Sequence, residues 1–69
     1  MSPDRKRLIM QLKRLRAKQG FSQAALSKRC SLTKEYIARL ELGQHDPSLS
    51  TLAKLEKALK VPIASLLED

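Results

Sequence analysis

The sequence predicts an all-α protein, a compact bundle of five helices. Apolar residues recur at spacings of three and four, and no segment alternates apolar and polar residues for long enough to form a strand. Capping residues, glycines and prolines divide the chain into short helical segments. Because 69 residues with 42% hydrophobic content suit one small core, we expect a single domain over residues 1–69.

The first helix is predicted to run from about Pro3 to Lys18. Ser2 can cap it, proline fits its first position, and Gly20 suits the left-handed residue that follows a helix. Its expected inward residues are Leu8, Ile9, Leu12 and Leu15.

The second and third predicted helices are short and meet at a tight corner. The second begins after its cap, Ser22, and runs to about Arg29; the third follows its cap, Thr33, and ends at Gly43. Two helices of about two turns, joined by about three residues, form a helix-turn-helix. Because isolated helices shorter than about 12 residues are marginal, this pair needs the rest of the bundle for stability.

The fourth and fifth predicted helices complete the bundle. Pro47 prevents the preceding loop from being helical. Ser48 or Ser50 is expected to cap the fourth helix, which runs to about Lys60. A short fifth helix is expected from about Ile63 to Leu67. The fourth helix is expected to direct inward Leu49, Leu52, Leu55 and Leu59.

The net charge of +7 is unevenly distributed along the chain. Residues 1–39 hold eleven bases and two acids, a balance of +9, whereas residues 40–69 hold three bases and five acids, a balance of −2. A basic half of this kind indicates a partner that is a polyanion. The alternative is a basic domain whose charges serve only solubility.

The residues that enzymes and metal sites require are scarce. Cys30 and His45 are the only cysteine and histidine, and they fall on different elements, so a Cys–His catalytic pair and a zinc site are both disfavoured. The spacing of Cys30 from Leu26 places it in the core. We expect no catalysis, cofactor or metal. A lone cysteine suits the cytoplasm, and no apolar stretch is long enough for a signal peptide or membrane span.

The third helix has a polar side on which base-reading residues can lie. At about 100° per residue, one arc holds Lys34, Glu35, Ala38, Arg39 and Leu42. The inward arc holds Thr33, Tyr36, Ile37, Leu40 and Glu41. In a DNA major groove, Lys34 and Arg39 can donate to guanine and Glu35 can accept from cytosine. Ala38 can contact a thymine methyl group. Alternatively, Glu35 and Arg39 pair with each other on a solvated face.

Four segments carry a resemblance to a known family. They are FSQAAL (21–26), YIARLELG (36–43), PSLSTLAKLEKAL (47–59) and VPIASLL (61–67). In this order and spacing the chain resembles the phage-repressor and Cro class of helix-turn-helix domains, often called Xre-like, over residues 12–67. The resemblance implies a lambda-repressor-like fold. It also implies a transcriptional regulator that binds double-stranded DNA in a sequence-specific way, reading the major groove with residues 33–42.

The resemblance also implies roles for individual residues. The family's base-reading positions correspond to Lys34, Glu35 and Arg39. Its phosphate-contacting positions correspond to Ser22, Gln23, Thr33, Tyr36 and Gln44. A partly buried ion pair between Arg16 and Glu41 should tie the first helix to the third. Such proteins are bacterial or phage-encoded and associate with the nucleoid when bound to DNA.

The sequence departs from the family pattern at four positions. Ser31 stands where glycine is common in the turn, so it must adopt a left-handed conformation or the turn must differ. Lys60 replaces a glycine after the fourth helix, and Glu56 replaces a small packing residue. Leu42 stands where Asn, Arg or Lys is common.

A homodimer is expected on a palindromic operator, because one helix reads only about four or five base pairs. The predicted dimer interface comprises Val61, Pro62, Ile63, Leu66 and Leu67. The alternative is that Leu66 and Leu67 only close the bundle.

Two other kinds of partner are alternatives to DNA, and a partner protein remains open. Small antitoxins and adaptors resemble the same family, and their main role is to bind a partner protein; co-purification with a second small protein would distinguish them. The basic first helix could also lie on an acidic membrane or an acidic partner, but its apolar stripe is more simply the core side of the bundle. We therefore expect no membrane association.

Overall fold

Four α-helices form the described part of the chain. The structure, a computed structural model, describes residues 3–62, with side chains from residue 5 onward. The helices are α1 (Pro3–Lys18), α2 (Gln23–Cys30), α3 (Lys34–Glu41) and α4 (Leu49–Leu59). The described residues contain four helices and no strand, so the all-α prediction is confirmed for this part of the chain. The predicted fifth helix, residues 63–67, lies outside the described residues.

Local hydrogen bonds set the starts of three helices. The hydroxyl oxygens of Ser22, Thr33 and Ser48 each accept from the backbone N–H three residues later, at 3.0, 3.0 and 3.1 Å. Each such cap contributes about 1 kcal/mol. Ser48, and not Ser50, is therefore the cap of α4.

Left-handed residues end the helices and turn the chain. Gly20 and Gly43 have φ of 77° and 78°, which glycine adopts without strain. Ser31 and Lys60 adopt the same region with φ of 58°, and their N–H groups bond to carbonyls four residues earlier. For a residue with a Cβ this conformation costs roughly 1–2 kcal/mol. The turn therefore keeps its usual geometry with serine in the strained position.

The core forms where α1, α2, α3 and α4 meet. Its buried cluster comprises Leu12, Leu26, Cys30, Ile37, Leu40, Leu55, Ala58 and Leu59. Leu8 and Ile9 of α1 are buried as well. Partly buried residues close the edges of this cluster: Leu15, Phe21, Leu32, Tyr36 and Val61. The predicted core position of Cys30 is confirmed, with 3% of the residue exposed.

Two inward assignments were wrong. Leu49 is 82% exposed, because it begins α4 and lies about 90° around the helix from the mean direction of Leu52, Leu55 and Leu59. Thr33 is exposed because, as a cap, it has an extended backbone with φ −77° and ψ 154°. A projection at a constant 100° per residue does not apply to such a residue.

Candidate nucleic-acid interface

The corner between α2 and α3 holds α3 against the body of the bundle. Ile37 and Leu40, on the inner side of α3, are 0% and 1% exposed. Leu26 of α2, which lies in the same cluster, is also fully buried. Because both short helices contribute to the main core, the position of α3 is set by packing rather than by its own helical stability.

The outer side of α3 is polar and open to solvent. Lys34, Glu35 and Arg39 are exposed, and Ala38 is half-buried among them. No ion pair joins Glu35 to Arg39 in the described part of the chain. The alternative interpretation, in which these two residues form an ion pair along the helix, is therefore not seen in this structure. One cation at the start of α3, one carboxylate beside it and one guanidinium a turn later all face solvent.

A buried ion pair links α1 to the end of α3. Arg16 Nε donates to Glu41 Oε2 at 2.7 Å, and Arg16 Nη2 donates to Glu41 Oε1 at 3.0 Å. The Glu41 side chain is 3% exposed and that of Arg16 is 19% exposed. Gln23 Nε2 donates to the same Glu41 Oε1 at 3.0 Å, and Arg16 Nη1 donates to the Phe21 carbonyl at 2.8 Å. One carboxylate therefore joins α1, the start of α2 and the end of α3.

The residues expected at phosphates lie on two helix starts and one loop. Ser22 and Thr33 are exposed, and although their hydroxyl oxygens act as caps, a hydroxyl that accepts can still donate. Gln23 is half-buried, and its side-chain amide donates to Glu41. This bond also positions the first N–H groups of α2. Such N–H groups have no partner within the helix and attract anions. Gln44 is exposed in the loop after α3.

Tyr36 fixes the loop after α3, a contact that the sequence did not predict. Its ring stacks on His45 with centroids 5.5 Å apart and planes 5° from parallel. Its hydroxyl lies 3.3 Å from Thr51 Oγ1 on α4. Tyr36 therefore joins α3, the loop and the first turn of α4, and it is half-buried rather than fully exposed.

Arg5 of α1 also contacts this loop, which the sequence did not predict. Its Nη2 donates to the Gly43 carbonyl, and its Nε lies 2.9 Å from Asp46 Oδ1, close but not aligned as a hydrogen bond. These partners are about 40 residues away in sequence, and a single arginine on a basic helix gives no signal of them. Together Arg5 and Tyr36 position the loop that carries Gln44.

The predicted dimer residues fall mostly beyond the described part. Val61 is half-buried against the core and Pro62 is exposed. Ile63, Leu66 and Leu67 lie outside the described residues. Val61 therefore closes the bundle edge, whatever further contact it makes.

Residues 3–62 contain neither a metal-binding cluster nor a membrane-spanning helix. No group of three or more His, Cys, Asp or Glu side chains in this range could hold a metal ion. None of the helices described is long and apolar enough to cross a membrane.

The fold and the site together define a small helix-turn-helix domain in which α3, the second helix of the motif, presents a charged outer face. The sequence model of the helix-turn-helix family HTH_3 matches residues 12–66. The chain belongs to this family. The resemblance to the phage-repressor and Cro class is thereby confirmed.

Individual relatives agree with this assignment. The chain is 28% identical over 58 residues to the immunity repressor protein of Bacillus phage phi105, covering 84% of this chain but only 40% of that repressor. The restriction-modification controller protein C.AhdI from Aeromonas hydrophila superposes with a TM-score of 0.87 at 31% identity, covering 94% of this chain and 98% of the controller. A hypothetical transcription factor, NHTF, from Neisseria superposes with a TM-score of 0.88 at 30% identity, covering 93% of this chain and 72% of that structure.

Proposed function

We propose that the chain is a transcriptional regulator that binds double-stranded DNA in a sequence-specific way, with α3 in the major groove. The observation that carries the proposal is the division of α3 into two sides. Ile37 and Leu40 are buried completely or nearly so, whereas Lys34, Glu35 and Arg39 are exposed. The major groove admits one α-helix, and a helix held by packing can enter it without rearrangement of its backbone.

Base contacts are assigned to the outer side of α3. Arg39 can bond in a bidentate manner to guanine O6 and N7, and Lys34 can donate to the same atoms. Glu35 can accept from the amino group of cytosine, and Ala38 can contact a thymine methyl. The similarity to a phage immunity repressor and to a restriction-modification controller supports this class of function.

Phosphate contacts are assigned to the residues that surround α3. These are Ser22, Gln23, Thr33, Tyr36 and Gln44. The starts of α2 and α3 and the loop held by Tyr36 each supply donors, and the excess of bases over acids in residues 1–39 favours any polyanion. Such contacts fix the register of the protein on the duplex without reading its sequence.

The assembly on DNA is proposed to be a two-fold homodimer, with Val61, Pro62, Ile63, Leu66 and Leu67 at its interface. Two copies double the number of base pairs read and require a palindromic operator. Half-site centres should then lie about one helical turn apart, roughly 34 Å. The decisive measurement is stoichiometry on a selected operator. A single copy bound at full affinity to a non-palindromic site would refute the two-fold arrangement.

The test of DNA reading compares specific and random duplexes. An operator is first selected from a randomised duplex library, and affinities are then measured by fluorescence anisotropy. Arg39→Ala should weaken operator binding by about 1–3 kcal/mol and random-sequence binding far less. Gln23→Ala should weaken both alike. Lys28→Ala, which removes an exposed base outside the proposed contact set, is the control for the loss of one charge.

Salt dependence provides an independent test. If a dimer makes about eight to ten phosphate contacts, log K should fall against log salt with a slope of roughly −7 to −9. A slope near zero would show that the chain does not bind DNA through its phosphates. Equal losses on operator and random DNA for Arg39→Ala would show that α3 is not the reading helix.

A further inference from the structure

A second basic region lies away from the outer side of α3. An open cavity of about 340 Å³ sits where the C-terminal parts of α2 and α4 meet. Its side chains include Arg29, Lys54, Lys57 and Lys60, with Cys30 and Ser31. No carboxylate is among the described residues that line it. None of these residues belongs to the proposed DNA contact set, so the argument for this cavity does not rest on the proposed function.

The four cations are arranged around one space. Lys54, Lys57 and Lys60 follow one another at intervals of three residues, which places them along one side of α4 and its end. The Arg29 guanidinium carbon lies 4.5 Å from the centroid of the Phe21 ring, a cation–π contact that restricts the guanidinium. Like charges around one cavity repel each other unless an anion lies between them.

Both strained residues of the described chain border this cavity. Ser31 and Lys60 are the two non-glycine residues with positive φ in residues 3–62, and each lines the cavity. Glycine would relieve the strain at either position but would remove a hydroxyl or an ammonium group. Both residues are C-caps, so their left-handed conformation is set by the ends of α2 and α4.

Helix dipoles explain only part of the cluster. Cations in the last turn of a helix are favoured by its negative end, which accounts for Arg29 and Lys57. Lys54 stands in the middle of α4, where that effect has decayed. Burial raises the pKa of the Cys30 thiol, and the Lys54 ammonium is the smallest of the influences that lower it. The helix dipole therefore does not account for Lys54.

We propose that this cavity binds a compact polyanion carrying two or more phosphate groups. The cavity is open to solvent, and all four cationic residues that line it are exposed. Lysine ammonium groups bind phosphate as point charges and arginine binds it as a fork, and the cavity offers three of the first and one of the second. The hydroxyl of Ser31 supplies a further donor. A bound diphosphate neutralises the repulsion among these four cations.

The test uses the whole chain and inorganic pyrophosphate at constant ionic strength. Backbone amide shifts are followed by NMR at about 0.1 M salt, where exposed charges more than about 10 Å apart are screened. We expect one saturable site, with the largest shifts at Ser31 and Lys60. Lys57→Ala and Lys60→Gly should each weaken pyrophosphate by about five- to tenfold, whereas Lys28→Ala should leave its affinity unchanged.

Lys60→Gly separates binding from folding. It removes a cavity cation while relieving backbone strain, so this variant should be at least as stable as the wild type and yet bind pyrophosphate more weakly. Shifts spread over all basic residues, or equal losses for Lys28→Ala and Lys57→Ala, would overturn the proposal. The proposal would also be overturned if pyrophosphate showed no binding site and Lys57→Ala lowered the magnitude of the salt slope of DNA binding by about one. That result would assign Lys57 to a contact with the DNA backbone.

Discussion

Replacing the ion pair between Arg16 and Glu41 is the most direct test of how α3 is held. Glu41 accepts three hydrogen bonds with its side chain only 3% exposed. Removing one member alone leaves charge or donors without partners where water is scarce. Arg16→Met and Glu41→Leu keep most of the buried volume and remove the polar groups. The pair of substitutions therefore closes a double-mutant cycle.

The expected magnitude follows from burial. Breaking a buried pair costs about 3–5 kcal/mol, but Arg16 is 19% exposed and retains the Phe21 carbonyl. We therefore expect about 2–3 kcal/mol for each single substitution. The double variant should also lose only about 2–3 kcal/mol, because what remains unpaired is the Phe21 carbonyl and the Gln23 amide. The interaction free energy of the pair is then about 2–3 kcal/mol.

The assay is urea unfolding followed by circular dichroism. A domain of this size has a free energy of unfolding of about 3–10 kcal/mol, so the losses are measurable and are large fractions of the total. If Glu41→Leu leaves too little folded protein, Glu41→Gln replaces it in the cycle, since it keeps the shape and removes the charge. Additive losses, with an interaction free energy below about 0.3 kcal/mol, would show that the pair does not hold α3 in solution.

Three further predictions concern the remainder of the described chain. Lys60→Gly should raise the free energy of unfolding by about 0.5–1 kcal/mol in thermal unfolding, since relief of left-handed strain exceeds the entropy cost of glycine. Ser48→Ala should lower it by about 1 kcal/mol in urea unfolding through loss of the α4 cap. Burial raises the pKa of the Cys30 thiol above its ordinary value. The free energy of unfolding of the wild type, relative to that of Cys30→Ala, should therefore be constant below pH 9. Above pH 9 it should fall by up to about 1.4 kcal/mol per pH unit. Unfolding of both proteins measured between about pH 7 and 10.5 checks this.

Helix positions could be predicted because their signals are local. Ser22 and Thr33 each bond to an N–H group three residues later, so a cap and the helix it starts appear together in the sequence. The core face of α2 and α3 follows from apolar spacing in the same way. At Ser31 sequence alone could not decide between strain and a different turn, since the choice depends on how α2 and α3 pack.

The contacts that position the candidate site could be predicted only in part. The family resemblance predicted the Arg16–Glu41 pair. The sequence spacing did not, because a separation of 25 residues does not indicate that two side chains are partners. The stacking of Tyr36 on His45 and the reach of Arg5 to Gly43 were not anticipated. Long side chains have many rotamers, and only the relative placement of α1, α3 and the loop selects one.

The two sides of α3 make recognition and stability separable at most positions. Substitutions of exposed residues away from caps and networks change the free energy of unfolding by only about 0.5 kcal/mol, so Lys34, Glu35 and Arg39 can be exchanged with little effect on the fold. A loss of specific DNA binding in such a variant therefore reports on contact rather than on unfolding. Ala38 is the exception, because it lies half-buried on the same side. A larger residue at position 38 would change the packing of α3 as well as its outer surface. The effect of that substitution on DNA binding therefore needs a stability measurement on the same variant before it is assigned to a base contact.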